Sequence, residues 1–169
     1  MTDPYDQNQD VVQGLVKIVE QVSANANLSE VLPVANVSEN LSDLHNRLLI
    51  VRARQQRVSE LVGTLIRVQA NVRKLVLDRK SELSSAEAKV IVPTKTVFQA
   101  DDYSSAMERN AKLKGKTLEE RIALTAAEKL QVDVDAALAY ANNAYRELGS
   151  QAFDVNTRIK VLGMEGTLG

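Results

Sequence analysis

A heptad pattern of apolar residues occupies the long stretch between Pro33 and Pro93, which contains no other proline. With Leu41 at position a, thirteen successive a and d positions lead to Leu83, and ten of them are apolar. A repeat sustained over six heptads indicates a long helix whose a/d stripe packs against other helices. The sequence therefore predicts an all-α fold of long antiparallel helices in a coiled-coil-like bundle.

Two features of this repeat bear on assembly. Gln55, Gln69 and Arg79 occupy a or d positions, where half-buried polar groups lower stability but fix register or oligomeric state. In the second half of the helix, neighbouring g and e positions are apolar too, so the stripe becomes wider than one partner helix covers. We therefore expect a homo-oligomer, a trimer or larger. The residues expected to hold it together are Leu61, Val62, Leu65, Ile66, Val68, Val72 and Leu75.

The acidic N-terminal part of the chain precedes this helix. Apolar residues at helical intervals over 11–22 predict a first amphipathic helix, and residues 28–37 read as a connector broken by a proline. Ser38 is the expected N-cap of the long helix. The sequence thus divides into an acidic helix with its connector, 1–37, and a helical oligomerisation and binding domain, 38–169.

Beyond residue 85 the pattern changes. The β-branched segment 89–98 predicts a short extended strand or ordered loop, and a short helix is expected to end near Gly115. Residues 117–120, TLEE, form a capping box that opens a second long helix, which Gly149 is expected to stop. A final helix follows, with Phe153 on its apolar face. The apolar face of the second long helix is predicted to contain Leu118, Ile122, Leu130, Val134, Leu138, Ala141, Tyr145 and Leu148.

Composition excludes several kinds of site. The chain has no cysteine, which excludes disulfides, thiol nucleophiles and cysteine-bound metals, and its one histidine, His45, lies inside the basic helix. No spacing of nucleophile and base and no glycine-rich phosphate loop stands out, so we expect no catalytic residue, metal or cofactor. The N-terminus lacks the features of a signal peptide, and no apolar run is long enough to cross a membrane. A cytoplasmic protein without a membrane partner is expected.

Positive charge is concentrated on the long helix. Residues 47–80 contain nine bases and two acids, a net charge of +7 in a chain whose formal net charge is -1. Regularly spaced cations along a helix suit the phosphodiester backbone of a nucleic acid. The residues predicted to bind it are Arg47, Arg52, Arg54, Arg57, Arg67, Arg73 and Lys74. A second candidate site is the KLKGK turn, with Lys112, Lys114 and Lys116.

The same charges allow other functions. Residues 1–46 have a net charge of -6 and could neutralise the basic helix within one chain or between chains. Under that interpretation the protein is a structural assembly or adaptor protein whose basic helix meets acidic protein surfaces. A third hypothesis is a regulatory protein that binds a host protein. Salt-dependent binding to oligonucleotides separates the first hypothesis from these two.

Three segments together support a resemblance to a known family. They are Leu44 to Arg47 near the start of the basic helix, the tract Arg52-Ala53-Arg54, and the C-terminal run around Phe153 and Ile159. In this order, over roughly residues 40–163, the chain resembles the recombination-mediator proteins of tailed bacteriophages. The acidic N-terminal helix and the low aromatic content depart from that family.

The resemblance implies a ring-like homo-oligomer in the host cytoplasm. Such a protein binds single-stranded DNA through the basic side chains of its long helix, and contacts both the phage recombinase and the single-strand-binding protein. Its implied function is to help load the recombinase, without catalysis of its own. Because aromatic residues are few, Tyr140 and Tyr145 are expected to pack in the bundle rather than to stack on bases.

Overall fold

The fold is all-α, as predicted. A computed structural model describes residues 4–27, 40–97 and 106–165, with side chains for 9–27, 40–90 and 110–164. Within these ranges every residue except Asn27, Asn40 and Thr117 is helical. The four helices are α1, Pro4–Ala26; α2, Leu41–Val97; α3, Ala106–Lys116; and α4, Leu118–Glu165.

The N-terminus of α2 is capped by Asn40. Its side-chain Oδ1 accepts a hydrogen bond of 2.9 Å from the backbone N–H of Asp43, which would otherwise lack a partner at the helix end. The carboxylate of Asp43 lies in the first turn, where the helix dipole favours negative charge. The predicted cap, Ser38, lies outside the described residues.

The predicted end of α2 near residue 85 and the extended segment 89–98 were wrong. The helix continues to Val97, and Phe98 lies outside the described residues. Extending an existing helix requires no new nucleus, and β-branched residues cost only a few tenths of a kcal/mol each in helix propensity. A proline such as Pro93 removes one backbone hydrogen bond and can kink a helix without ending it.

Thr117 joins α3 to α4 without the predicted capping box. Its hydroxyl donates to the carbonyl of Leu113 at 2.9 Å and accepts from Nε of Arg121 at 3.1 Å. Backbone hydrogen bonds four residues apart run through the junction, from Thr117 to Leu113 and from Arg121 to Thr117. Thr117 is completely buried. Its hydroxyl bonds to Leu113 and Arg121 rather than to the backbone N–H of Glu120, which a capping box would require.

Gly149 does not stop α4, which continues to Glu165. A Cβ atom built on Gly149 would lie 2.9 Å from Nε2 of Gln55, closer than real contacts allow. The absent side chain at Gly149 leaves room for the end of the flexible Gln55 side chain, which would have to shift if a larger residue stood there. Since glycine costs about 1 kcal/mol relative to alanine inside a helix, the surrounding packing is enough to keep the helix intact.

The described contacts divide the chain into two compact units. Unit 1 combines Met1–Val12 with Val68–Asp133, and unit 2 combines Gln13–Arg67 with Val134–Gly169. Three segments, one each from α1, α2 and α4, thus belong to unit 2.

In unit 2, α2 and α4 pack antiparallel. Leu44 and Leu48 near the start of α2 pack with Val155 near the end of α4. Further along α2, Gln55 lies against Gly149. Because residue numbers increase along α2 as those of the contacting residues on α4 decrease, the predicted antiparallel arrangement is confirmed in this unit.

In unit 1, ion pairs connect the same two helices. Nζ of Lys80 lies 3.5 Å from Oε1 of Glu128, and both side chains are about half exposed, so the pair contributes little to stability. Arg121 pairs with Glu87 and also donates to Thr117 at the α3–α4 junction. These pairs again require α2 and α4 to run antiparallel.

The predicted heptad stripe is the packed face of α2. Every described α2 side chain that is buried occupies an a or d position: Leu44, Leu48, Val51, Val58, Leu65, Val72 and Val76. The two glutamines on the stripe are half-buried, as predicted. The seven-residue spacing of the apolar side chains therefore identified the contact surface of α2 from Leu44 to Val76.

The matching face of α4 is rich in alanine. Buried positions alternate at intervals of three and four residues: Ala127, Leu130, Val134, Ala137, Ala141, Ala144 and Leu148. Small side chains let the helix axes approach closely. Leu118, Ile122 and Tyr145, which were expected on this face, are instead at least 40% exposed.

Candidate nucleic-acid interface

The two flanks of the α2 stripe differ in exposure. Every g position from Arg47 to Leu75 is half-buried, whereas every e position from His45 to Lys80 is exposed. One flank is therefore covered within the chain and the other faces solvent. The predicted DNA-binding residues are divided by this difference, with Arg47 and Arg54 on the covered flank.

Arg54 holds the C-terminal end of α1. Its guanidinium donates to the carbonyl of Asn27 at 2.6 Å and approaches the carbonyl of Ala24 at 3.5 Å. Helix C-termini leave carbonyl groups without partners and carry partial negative charge, so an arginine is stabilising there. Arg54 was among the residues predicted to bind a nucleic acid, but in the structure it bonds to protein carbonyls.

We expect Arg54→Ala to lower the free energy of unfolding by about 1 kcal/mol, because the α1 carbonyls lose a charged donor. Amide hydrogen exchange should show reduced protection near the end of α1. The matched control is Arg57→Ala on the exposed side of the same helix, with an expected change below about 0.5 kcal/mol. Equal losses in the two variants would contradict a structural role specific to Arg54.

Three exposed arginines of α2 form what we call the open basic surface of unit 2: Arg52, Arg57 and Arg67. Among the described residues, neither Arg52 nor Arg57 makes a side-chain hydrogen bond or ion pair. Arg67 donates through Nε to the carbonyl of Gly63 at 3.3 Å, within its own helix, and its guanidinium remains exposed. These guanidinium groups can therefore meet an external anion without breaking an ion pair to any described residue.

In unit 1, Arg73 and Lys74 are also exposed on α2. The next cations along the helix have acidic neighbours: Arg79 bonds to Glu82 at 2.7 Å, and Lys80 pairs with Glu128 as described above. Of the described unit 1 cations on α2, Arg73, Lys74 and Lys89 are exposed without an ion pair to a described residue, so they resemble the open basic surface.

The KLKGK segment is helical, and its description as a turn was wrong. Lys112, Lys114 and Lys116 belong to α3, which ends at Lys116, and all three side chains are exposed. Lys112 and Lys116 are four residues apart and share a face, while Lys114 points to the other side. The helix thus separates cations that a turn could have brought together around one phosphate.

The apolar residues expected to hold an oligomer together are mostly covered within one chain. Leu65 and Val72 are buried, and the side chains of Leu61, Val62, Val68 and Leu75 are half-buried. Ile66 is the exception, with 51% of its surface exposed, because it occupies an e position on the solvent-facing flank of α2. The width of the stripe therefore no longer requires other subunits, since most of these side chains are covered within one chain. Oligomerisation stays a prediction.

Three aromatic side chains of α4 are exposed. Tyr140 and Tyr145 are 43% and 40% exposed, so the expectation that they pack in the bundle was wrong. Phe153, expected on an apolar face, is 70% exposed. The heptad of α4 would have shown this: with Leu148 at position a, Phe153 falls at position f, opposite the packed face.

The described part of the chain contains no group of acidic or histidine side chains arranged to hold a metal ion. None of its helices combines the length and apolar character of a membrane span. Comparison with protein-family models, curated proteins and solved structures gives no match to this chain. The resemblance to recombination mediators is therefore neither supported nor opposed by these comparisons.

Proposed function

We propose that this protein is a non-catalytic single-stranded DNA-binding protein whose contact surface on unit 2 is the open basic surface. The observation that supports this most is the exposure of Arg52 and Arg57 without a partner among the described residues. Cations left in solvent are surrounded by counterion and water, and a polyanion that neutralises them gains affinity by releasing its own counterions.

The competing interpretation, in which acidic segments neutralise the basic helix, predicts different contacts for these side chains. If the basic helix served only to meet acidic segments of its own chain, the exposed arginines should show ion pairs with described carboxylates. Arg54 does bond to α1, but through backbone carbonyls rather than acidic side chains. Contacts within the protein therefore account for Arg54, whereas Arg52 and Arg57 have no carboxylate partner among the described residues.

The wider part of the proposal rests on the resemblance. A recombination mediator binds single-stranded DNA without chemistry and helps a recombinase replace the single-strand-binding protein that covers it. A helical protein with exposed cations along a long helix suits this task, because phosphate contacts position a strand without selecting its sequence. Recombinase and single-strand-binding protein are thus the proposed protein partners, and assembly of several copies is proposed with them.

The double variant Arg52→Gln/Arg57→Gln tests the DNA-binding proposal. A labelled oligothymidine is titrated at several potassium chloride concentrations, and the slope of log affinity against log salt is compared with that of the unchanged protein. Losing two phosphate contacts should reduce the slope by about 1.4, at roughly 0.7 per single-strand phosphate. Affinity should fall for every base sequence alike, since phosphate contacts do not read bases.

The matched control is Lys17→Gln/Lys129→Gln, which removes the same net charge from exposed positions on α1 and α4. It should change the slope much less if the arginines make direct contacts. Equal reductions in both variants would mean that overall charge, not this surface, determines binding. No binding by the unchanged protein would favour the assembly or adaptor function.

A further inference from the structure

Phe153 is the most exposed large apolar side chain among the described residues, at 70%. Its neighbours three and four residues away on α4 are Gly149, Ser150, Asn156 and Thr157, all small or polar and uncharged. It is therefore an isolated aromatic ring, and no continuous apolar patch surrounds it of the kind that marks a protein-docking surface.

Two cations lie on the same face of the helix. Arg146 and Lys160 are seven residues before and after Phe153, about 10 Å along the axis in each direction, and both are exposed. Neither makes a side-chain hydrogen bond or ion pair to another described residue. The carboxylates of Glu147 and Asp154 are on the neighbouring g positions, about 100° around the helix.

We propose that Phe153 is a stacking platform for an unpaired base, with Arg146 and Lys160 contacting phosphates on either side. This inference rests on the proposed function and gives it a second contact surface, on α4. Sequence-tolerant binding of single strands combines cations that follow the backbone with aromatic rings on which bases stack. Bases of a duplex stack on each other, so the ring should select unpaired strands.

Phe153→Trp provides a direct readout, because the protein contains no other tryptophan. Stacking of a base on the indole should quench its fluorescence as oligothymidine is added, while affinity is retained. The matched control is Val132→Trp, on the same helix and 66% exposed, whose neighbours include the carboxylates of Glu128 and Asp135. Its fluorescence should stay unchanged over the same titration.

Phe153→Ala and Phe153→Leu are expected to weaken binding to oligothymidine about tenfold, which lies within the range that base stacking on an aromatic residue supplies. The salt slope should stay the same, because stacking releases no counterions from phosphates. Leucine keeps an apolar side chain without a ring, so it separates stacking from simple hydrophobic contact. Phe153→Tyr keeps an aromatic ring and should bind oligothymidine as tightly as the unchanged protein.

The outcomes distinguish this proposal from the one on which it rests. If Arg52→Gln/Arg57→Gln lowers the salt slope but the Phe153 variants bind normally and Phe153→Trp is not quenched, the stacking platform is wrong and the DNA-binding function stands. If the unchanged protein binds no oligothymidine, both are overturned. Far-ultraviolet circular dichroism confirms that each variant is folded, as expected for a residue so exposed.

Discussion

Leu65→Ala should lower the free energy of unfolding by about 2–5 kcal/mol, the largest effect we expect from a single truncation in this protein. Leu65 is completely buried on the a/d stripe of α2. Removing its side chain loses the transfer free energy of the buried methyl groups and leaves a cavity that the long helices cannot fully close. Urea unfolding followed by circular dichroism at 222 nm measures the change.

The sharpest control for this truncation is Leu49→Ala. Leu49 is on the same helix and in the same unit but is 66% exposed, so its loss should cost well under about 1 kcal/mol. Leucine and alanine differ little in helix propensity, which leaves burial as the main difference between the two variants. Equal destabilisation would show that Leu49 is covered in solution, most simply by another copy of the chain.

Ala141→Leu is expected to destabilise the protein by about 1–3 kcal/mol, although it adds apolar surface. Ala141 is completely buried on the face of α4 that packs in unit 2. Between closely packed helices there is no room for three more carbons, so either the axes separate or side chains leave their preferred rotamers. A lower melting temperature with unchanged helix content would be the expected result.

Ala139→Leu makes the same chemical change two residues away, on the exposed side of α4. It should alter the free energy of unfolding by less than about 0.5 kcal/mol. If Ala141→Leu were as harmless as this control, the alanine-rich face would not be closely packed. Because the two variants have the same composition, the difference between their free energies of unfolding reports how closely α4 packs at Ala141.

The fold could be predicted where a long regular pattern repeats. The heptad beginning at Leu41 identified the packed face of α2, because a period of seven residues constrains many side chains at once. Helix ends could not be located in the same way. At Gly149 and in 89–97 the local signal favoured a break, but packing and continuation of an existing helix outweighed it.

The candidate site was predictable in charge but not in geometry. Arg52 and Arg54 are two residues apart and look equivalent in the sequence, yet one faces solvent and the other bonds to α1. The difference depends on which flank α1 covers, and this is decided by tertiary packing rather than by either arginine. Phe153 lies among apolar residues, which predicts a place on a packed face, but the heptad of α4 puts it at position f on the outer face.

The contact between Gln55 and Gly149 has a consequence for how α2 and α4 choose their alignment in unit 2. A heptad repeat looks alike after a slip of seven residues, so apolar matching alone leaves several alignments close in energy. After such a slip, Gln55 would face Asn142 or Asn156, whose side chains would occupy the space that glycine leaves empty. A missing side chain thus distinguishes one alignment from its shifted copies.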